Sequence, residues 1–475
     1  MPDPLDDHDQ LAEALNFAAG AAQHYLGDID QARILCPGFE KTIDGWTDAM
    51  PETGDGTLAA LRELATRGAS AATRSSGPRF FHFVMGGGTP AALGADWLTS
   101  TYDQVAFAWA SSPLAARLEQ VALDWLRQLF ELPREFGGVF TSGATMANFV
   151  ALAAARNWWA ERCGVDVEER GLRELPEPLI VSSGYLHPSA VQAIGMLGFG
   201  RGSIRRLTND PVGRINLGAV ERALDLAAPA PSIVIANAGE VNAGDFDPIA
   251  ELADLAERYD AWLHVDGAFG LFARLVPEAR ELAEGVERAH SVIADAHKWL
   301  NVPYDCGFAF VREVERLPRA LNVGAPYLPS AADPHPSFGF IAPESSRRAR
   351  AFSVWATLRA YGRDGHRAMV SRHLALAQHL ARRIDATPEL ERLAEVRLNI
   401  VCFRVHPEGW PDEQLDALNR EVGEALLADG RVFVGTTTYA GKVALRPAIV
   451  NWRTREEDVD LLVDVLRELV AARVG

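Results

Sequence analysis

Hydrophobic and polar positions along this chain follow two spacings, one typical of strands and one typical of helices. Short apolar or β-branched runs predict buried strands, and helical stretches lie between them. One helix is predicted over residues 248–259, with Asp247 as its N-cap and Pro248 at its first position. This alternation favours an α/β fold with a largely parallel sheet covered by helices. The predicted strands are residues 137–140, 178–182, 232–236, 261–265, 291–294 and 307–311.

Three further segments flank or follow the alternating region. Residues 8–75 have apolar positions at helical spacing and predict a helical N-terminal segment. Residues 321–345 are rich in Pro and Gly and show no period, which predicts a long loop of the kind that forms a lid or is disordered. A helix over about 347–384 then leads into a smaller α+β region that ends in a helix over 456–471. The predicted parts are an N-terminal helical segment (1–77), a large domain (78–345) and a C-terminal small domain (346–475).

Composition narrows the class of protein. The chain has 475 residues, of which 48% are hydrophobic and 23% charged, as expected for a globular protein of more than one domain. Its net charge of −18 disfavours a nucleic-acid partner. No apolar run approaches the roughly 20 residues of a membrane helix, and the acidic start differs from a signal peptide. Four scattered cysteines without metal-ligand spacing predict a reduced, cytoplasmic protein without a metal site.

Lysine is rare in this chain, which draws attention to Lys298. The 46 basic residues comprise 43 arginines and three lysines. Lys298 follows the predicted strand 291–294, at the sheet edge where open α/β folds bind ligands. A desolvated lysine can lose its proton and form a Schiff base, which arginine cannot do. Genomic base composition also explains scarce lysines, so the argument depends on the motifs that precede Lys298.

Those preceding motifs are the ones that a pyridoxal phosphate (PLP) site requires. Asp266 closes a hydrophobic strand 32 residues before Lys298, where a buried carboxylate would keep the pyridine nitrogen of PLP protonated. The small-residue turn 143–145 lies between a predicted strand and a helix, so its N–H groups would face an anion. His187 supplies an imidazole that could stack on a flat ring. Alone, the turn could be an ordinary N-cap and His187 a structural histidine; together, the four features predict a PLP site.

With these motifs the chain resembles the group II PLP-dependent decarboxylases of fold type I, which include the aromatic L-amino acid decarboxylases. The most specific segments are His264-Val-Asp266 and His297-Lys298-Trp299. The resemblance implies a fold type I large domain with a mainly parallel sheet, a small C-terminal α+β domain and an N-terminal segment that packs across a partner subunit. It also implies a homodimer, PLP as cofactor and an amino acid as substrate.

The resemblance further implies roles for individual residues. Lys298 would hold the cofactor as an imine, and Asp266 would bind the pyridine nitrogen. His187 would stack on one face of the ring, and Ala268 would pack on the other. The phosphate-binding positions are Gly143, Ala144, Thr145 and His297. The positions of the aromatic substrate pocket are Phe83, Val84 and Phe107, which favour an aromatic or bulky apolar substrate but are explained equally well as core residues.

The sequence departs from the family in the predicted loop. Aromatic amino acid decarboxylases carry a loop tyrosine nine residues before an Arg-Arg pair, and counting back from Arg347 gives Phe338. Members with phenylalanine there tend to be aldehyde synthases, which decarboxylate and then oxidatively deaminate. Tyr327 and His335 are the remaining loop proton donors, and either would lead to an amine product.

Three charged residues have open roles. Glu240 stands where many members have threonine, and it could alter proton transfer or face a helix N-terminus. Arg446 could bind a carboxylate or pack between domains, and Arg79 could select an acidic side chain. The leading hypothesis is an amino acid decarboxylase that releases CO2 and the amine. The alternatives are another PLP reaction (aldehyde synthase, transaminase or carbon–carbon lyase) and a non-catalytic PLP-fold binding protein, which the presence of Lys298 disfavours.

Overall fold

The N-terminal segment is helical, as predicted, but most of it lies on the surface. In α1 only Ala14 is buried, whereas Leu11 and Leu15 are exposed. The computed structural model describes residues 4–5, 7–46, 49–322 and 334–474. The N-terminal helices are α1 Leu11–Gly27, α2 Phe39–Asp44, α3 Thr57–Glu63 and α4 Ala69–Ala71.

A sheet of seven strands, counted over the described residues, forms the centre of the molecule. Its strand order is β1-β7-β6-β5-β4-β2-β3, and only β7 runs antiparallel to its neighbours β1 and β6. Every position of β4 to β7 is buried, because helices cover both faces, and this explains the continuous apolar runs. The six predicted strands are confirmed; the short edge strand β3 was not predicted. The strands are β1 Gly137–Thr141, β2 Leu179–Ser182, β3 Ile204–Arg206, β4 Ser232–Asn237, β5 Trp262–Asp266, β6 Ser291–Asp295 and β7 Gly307–Val311.

The helices that follow pack around this sheet, and the larger hydrophobic core lies between them. Trp158 on α7 and Trp262 on β5 are almost completely buried in it. The predicted N-cap of α11 is wrong. Pro248 is the N-cap, and the Asp247 carboxylate instead accepts hydrogen bonds from the Asn237 backbone N–H and side chain, both at 2.8 Å. These helices are α5 Pro90–Tyr102, α6 Pro113–Leu129, α7 Ala144–Arg162, α8 Val167–Arg170, α9 Pro188–Met196, α10 Leu217–Ala227, α11 Ile249–Arg258 and α12 Arg316–Leu321.

A second, antiparallel sheet lies in the C-terminal part, with the order β10-β11-β9-β8. It has its own hydrophobic core, which includes Phe403 and Val463. The long helix α13 bends at Gly362, whose φ of 60° is readily accessible only to glycine. Along the described chain, no helix combines the length and apolar character needed to cross a bilayer. The elements are α13 Ala351–Asp385, β8 Leu390–Arg392, β9 Phe403–Val405, α14 Asp412–Asp429, β10 Thr436–Tyr439, β11 Lys442–Leu445 and α15 Glu456–Val474.

The segment predicted as a long loop is partly ordered against the large core. Phe338–Phe340 form a single 3-10 turn, and Phe338 is buried. The end of the segment is fixed by a fully buried ion pair between Arg347 and Glu119 of α6. Tyr327 lies outside the described residues.

Candidate active site

Lys298, Asp266, His187 and Ala268 line one pocket. The pocket lies beyond the carboxyl ends of β4 and β5, because adjacent parallel strands end at the same edge of a sheet. His187 follows β2, which runs parallel to β4, and it is the N-cap of α9. Residues from three separate segments of the chain therefore converge on this edge.

Asp266 has one hydrogen bond on each carboxylate oxygen. Its Oδ2 accepts from the Asn148 side-chain N–H at 2.9 Å, and its Oδ1 accepts from the Ala268 backbone N–H at 3.2 Å. The side chain is buried, with 6% of the residue exposed. Each oxygen keeps lone-pair capacity for one more donor. This arrangement fits a protonated ring nitrogen, which needs an acceptor on a buried carboxylate.

His187 is held as a neutral imidazole by its surroundings. Burial is the main cause of its lowered pKa; the charges of Lys298 and Arg446 lower it further, and Asp266 opposes them. The Nδ1 atom accepts the Ser189 backbone N–H at 3.2 Å and lies 2.7 Å from the Ser189 hydroxyl. Because Nδ1 accepts a backbone N–H, the proton of the neutral ring is on Nε2.

Lys298 lies beside a second carboxylate that the sequence reasoning missed. Its Nζ is 3.1 Å from Asp295 Oδ2, and Asp295 is 2% exposed. The Asp295 Oδ1 atom is 3.5 Å from Nε2 of His297. His297 accepts the Cys306 backbone N–H on Nδ1 at 3.1 Å, and burial lowers its pKa. The signal for Asp295 was its place at the end of a buried strand, three residues before the lysine.

The predicted phosphate turn lies against His297. A Cβ atom on Gly143 would be 3.1 Å from Cε1 of His297. The absence of a side chain at Gly143 therefore lets the turn approach the His297 ring this closely. Ala144 and Thr145 are the first two residues of α7, whose leading N–H groups have no partner within the helix. Free N–H groups next to an imidazole are the donor set that a phosphate requires. The turn therefore fits the phosphate of the cofactor.

The wall of the pocket around Phe83 and Val84 has a strained backbone. Both residues have positive φ, 57° and 59°, which is unusual for two consecutive residues with side chains, and more so for a β-branched one. Phe83 is 60% exposed although it lines the pocket. Strain of this kind concentrates at ligand sites, where surrounding contacts maintain it.

Arg446 also lines the pocket, and it is buried. Its Nη1 atom has no hydrogen-bond partner among the described residues, and burial lowers its pKa. Nearby Glu240 does not face a helix N-terminus; its carboxylate accepts the backbone N–H groups of Asn242 at 2.7 Å and Ala243 at 2.8 Å in a turn. The guanidinium therefore faces the pocket with at least one nitrogen that lacks a hydrogen bond.

Several predicted residues do not line this pocket in their own chain. Phe107 packs against Phe340, with the ring centroids 5.5 Å apart, and His335 stacks on Trp109 at 4.6 Å. Phe338 lies with the large core. Arg79 pairs with Asp458 at 2.9 Å, so it is not available to an acidic substrate.

Two further residues, one in contact with Asp266 and one in the pocket wall, were not predicted. Asn148 lies four residues after Ala144 on the same face of α7, and this spacing was the available signal. Tyr185 lines the pocket, and its hydroxyl donates to Asp245 at 2.7 Å, which together with burial raises its pKa.

Comparison with known proteins places this geometry in a family. The family described as pyridoxal-dependent decarboxylase conserved domain matches residues 40–406. The chain is 29% identical to the aromatic-L-amino-acid decarboxylase of Bacillus atrophaeus, over 87% of this chain and 85% of that protein. It is 31% identical to the L-2,4-diaminobutyrate decarboxylase of Rhizobium meliloti (strain 1021), over 89% and 83%. The crystal structure of Oryza sativa TDC with PLP and tryptamine matches with a TM-score of 0.91 and 26% identity, covering 100% of both chains.

Proposed function

The chain belongs to the pyridoxal-dependent decarboxylase family, and we propose that it acts on an L-amino acid with an aromatic or bulky apolar side chain, releasing CO2 and the amine. It has PLP fold type I, and as an amino acid decarboxylase it uses PLP as its cofactor. The observation that carries the proposal is that Lys298, Asp266 and His187 line a single pocket.

The proposed roles of the pocket residues follow from their contacts. PLP supplies an electron sink for the bond that breaks at the substrate α-carbon. Lys298 provides the primary amine for covalent attachment, and Asp266 provides a buried carboxylate for the ring nitrogen. His187 is neutral, so it can lie on the ring face without adding charge. Gly143, Ala144, Thr145 and His297 form the donor set for the phosphate.

The substrate class rests on the apolar wall of the pocket. Phe83 and Val84 present apolar surface beside Lys298, and the relative from Bacillus atrophaeus acts on aromatic amino acids by its name. The diaminobutyrate relative suggests a cationic side chain instead, which would need a free carboxylate. Glu240 does not provide one, because its side chain is buried and does not line the pocket.

A panel of L-amino acids tests the substrate and the product together. We expect phenylalanine, tyrosine or tryptophan to give CO2 and amine in equal amounts, without oxygen uptake. Turnover of 2,4-diaminobutyrate with none of the aromatic substrates would contradict the substrate class. Aldehyde with peroxide would contradict the amine product. Phe338 packs in the large core and does not line the pocket of its own chain, which gives no support to the aldehyde synthase alternative.

We propose a homodimer, because the single chain leaves apolar side chains uncovered around its N-terminal helices. Leu11 and Leu15 of α1 are 61% and 55% exposed, and Trp97 of α5 is 44% exposed. An open groove between α1 and α5, lined largely by apolar side chains, continues to Tyr304, which stacks on His297. Contiguous apolar surface of this kind marks an interface.

A cytoplasmic location is proposed from the cysteines. All four are unpaired in the structure, and two of them, Cys306 and Cys402, are buried. Unpaired cysteines are typical of a reducing compartment. Fractionation of the native host would test this proposal, and recovery in an oxidising compartment would contradict it.

A further inference from the structure

A line of buried polar side chains runs from Asp266 into the centre of the sheet. Asp266 Oδ2 is 2.9 Å from Asn148 Nδ2, and Asn148 Oδ1 is 2.8 Å from His264 Nε2. His264 Nδ1 is 2.9 Å from the Ser291 hydroxyl, which is 3.0 Å from Trp262 Nε1. Asn148, His264, Ser291 and Trp262 are all 0% exposed, so no water competes for these contacts.

The chemistry of the groups gives this line one direction. The Asp266 carboxylate can only accept and the Trp262 indole can only donate, so the two ends of the line fix the roles between them. Asn148 donates its amide N–H to Asp266 and accepts from Nε2 of His264 on its Oδ1. Burial lowers the pKa of His264 to about 4, so the ring is neutral near pH 7 and its Nδ1 is left as an acceptor. The Ser291 hydroxyl accepts from Trp262 and donates its own hydrogen to that Nδ1.

The same amide also reaches His187. Its Nδ2 atom lies 3.4 Å from the Ser189 hydroxyl, and that hydroxyl is 2.7 Å from Nδ1 of His187. A hydroxyl that accepts from Asn148 donates its own hydrogen to His187. One asparagine thus contacts Asp266 directly and His187 through one intervening group.

We propose that Asn148 is a positioning residue for both cofactor-facing groups, and that Trp262, Ser291 and His264 set the orientation of its amide. If the hydroxyl of Ser291 were absent, Nδ1 of His264 would lose its donor, and the other tautomer would become accessible. Asn148 would then turn its oxygen towards Asp266, placing two acceptors against each other. The proposal rests on the cofactor role proposed for Asp266.

The test is the dissociation constant of PLP, measured by titration of cofactor-free protein. Asn148→Asp replaces the donor facing Asp266 with a carboxylate, and we expect about 10- to 100-fold weaker binding. Ser291→Ala changes a residue that does not touch the pocket, and we expect about three- to tenfold weaker binding. Ser232→Ala is the matched control, because it removes a buried hydroxyl on β4 that lies outside the line; its dissociation constant should stay within about twofold.

Asp266→Asn separates the two ways in which the experiment can fail. If this variant binds PLP as tightly as the wild type, the role of Asp266 is wrong. If Asp266→Asn binds PLP weakly, the role of Asp266 stands. The positioning proposal is then wrong if the dissociation constant of Asn148→Asp equals that of the wild type. It is also wrong if the dissociation constant of Ser291→Ala equals that of Ser232→Ala.

A second measurement needs no variant and so does not depend on folding of the mutants. Nitrogen-15 NMR of histidine-labelled, cofactor-free protein reports which ring nitrogen carries the proton. We expect His264 and His187 to be protonated on Nε2 alone. Protonation of His264 on Nδ1 would overturn the proposal.

Discussion

At the scale of the single residue, Lys298 is the position at which one substitution removes the attachment point of the cofactor. Of the three lysines, Lys298 lines the pocket, whereas Lys41 lies on α2 and Lys442 on β11. Lys298→Ala should therefore abolish the PLP adduct that borohydride reduction traps, as detected by mass spectrometry. Lys442→Ala, the control, should keep the adduct and the activity. An adduct on another lysine together with normal turnover in Lys298→Ala would contradict the assignment.

Arg446 is a second residue whose surroundings predict a measurable role. A buried guanidinium without a full set of acceptors costs free energy, and a substrate carboxylate in the pocket would supply the missing ones. Arg446→Met should raise KM about 10- to 100-fold, because a charge-assisted hydrogen bond is lost, while PLP affinity changes little. Arg404→Met is the control, because it removes another buried guanidinium whose Nη1 lacks a partner among the described residues but which does not line this pocket. An unchanged KM in Arg446→Met would assign Arg446 to packing between the two sheets.

At the scale of the element, α13 is joined to the Lys298 segment through His373. The indole N–H of Trp299 donates to Nδ1 of His373 at 2.9 Å, and Nε2 lies 2.9 Å from the backbone oxygen of Asn451. The ring accepts on one nitrogen and donates from the other, so it must be neutral. Burial, with a smaller effect of Arg372, lowers its pKa to about 3.

This neutral histidine predicts acid sensitivity. The unfolded chain binds a proton at His373 below about pH 6.5 and the folded chain only below about pH 3, so the free energy of unfolding falls as pH drops through that window. The slope from one such group is about 1.4 kcal/mol per pH unit. Asp247 has the opposite effect on the free energy of unfolding. Burial raises its pKa to about 6, so between about pH 6 and the usual pKa of an aspartate the folded chain binds the proton more tightly and stability rises as pH falls.

Denaturant unfolding between pH 6 and 4.5 isolates the contribution of His373. The free energy of unfolding should change less with pH in His373→Gln than in the wild type, and the difference in slope should correspond to about one bound proton. The variant should also be less stable at pH 7. Identical slopes for the two proteins would mean that His373 is protonated in the folded state.

At the scale of the whole molecule, the exposed apolar face around α1 predicts an obligate dimer. An interface of this type buries above roughly 2,000 Å², and removing its apolar contacts should separate the subunits. Leu11→Glu with Leu15→Glu should shift light scattering from dimer to monomer and reduce activity. The control is Leu226→Glu on α10, a leucine that is 87% exposed outside this face. A fully active wild-type monomer at assay concentration would contradict the prediction.

The α/β fold and the motifs around the pocket could be predicted from the sequence alone. Alternating periods and strand-end motifs depend on a few neighbouring residues, so the six strands and the positions of Asp266 and Lys298 could be read locally. The division into domains at 77 and 345 remains a prediction. The assignment of Asp247 as an N-cap was wrong because the local rule ignored a competing acceptor role: Asn237, ten residues earlier, supplies two donors to its carboxylate.

The contacts between buried polar groups could not be predicted from the sequence, because they depend on how distant segments pack. Asn148 and Asp266 are 118 residues apart, and neither residue's neighbours in the sequence indicate the contact. The same holds for Arg446, whose burial in the pocket depends on how the C-terminal sheet packs against the large one. Hydrophobic periodicity specifies which face of an element is buried, but the partner of a buried polar atom depends on packing between distant segments. Local pattern therefore located the pocket, and tertiary packing selected the contacts within it.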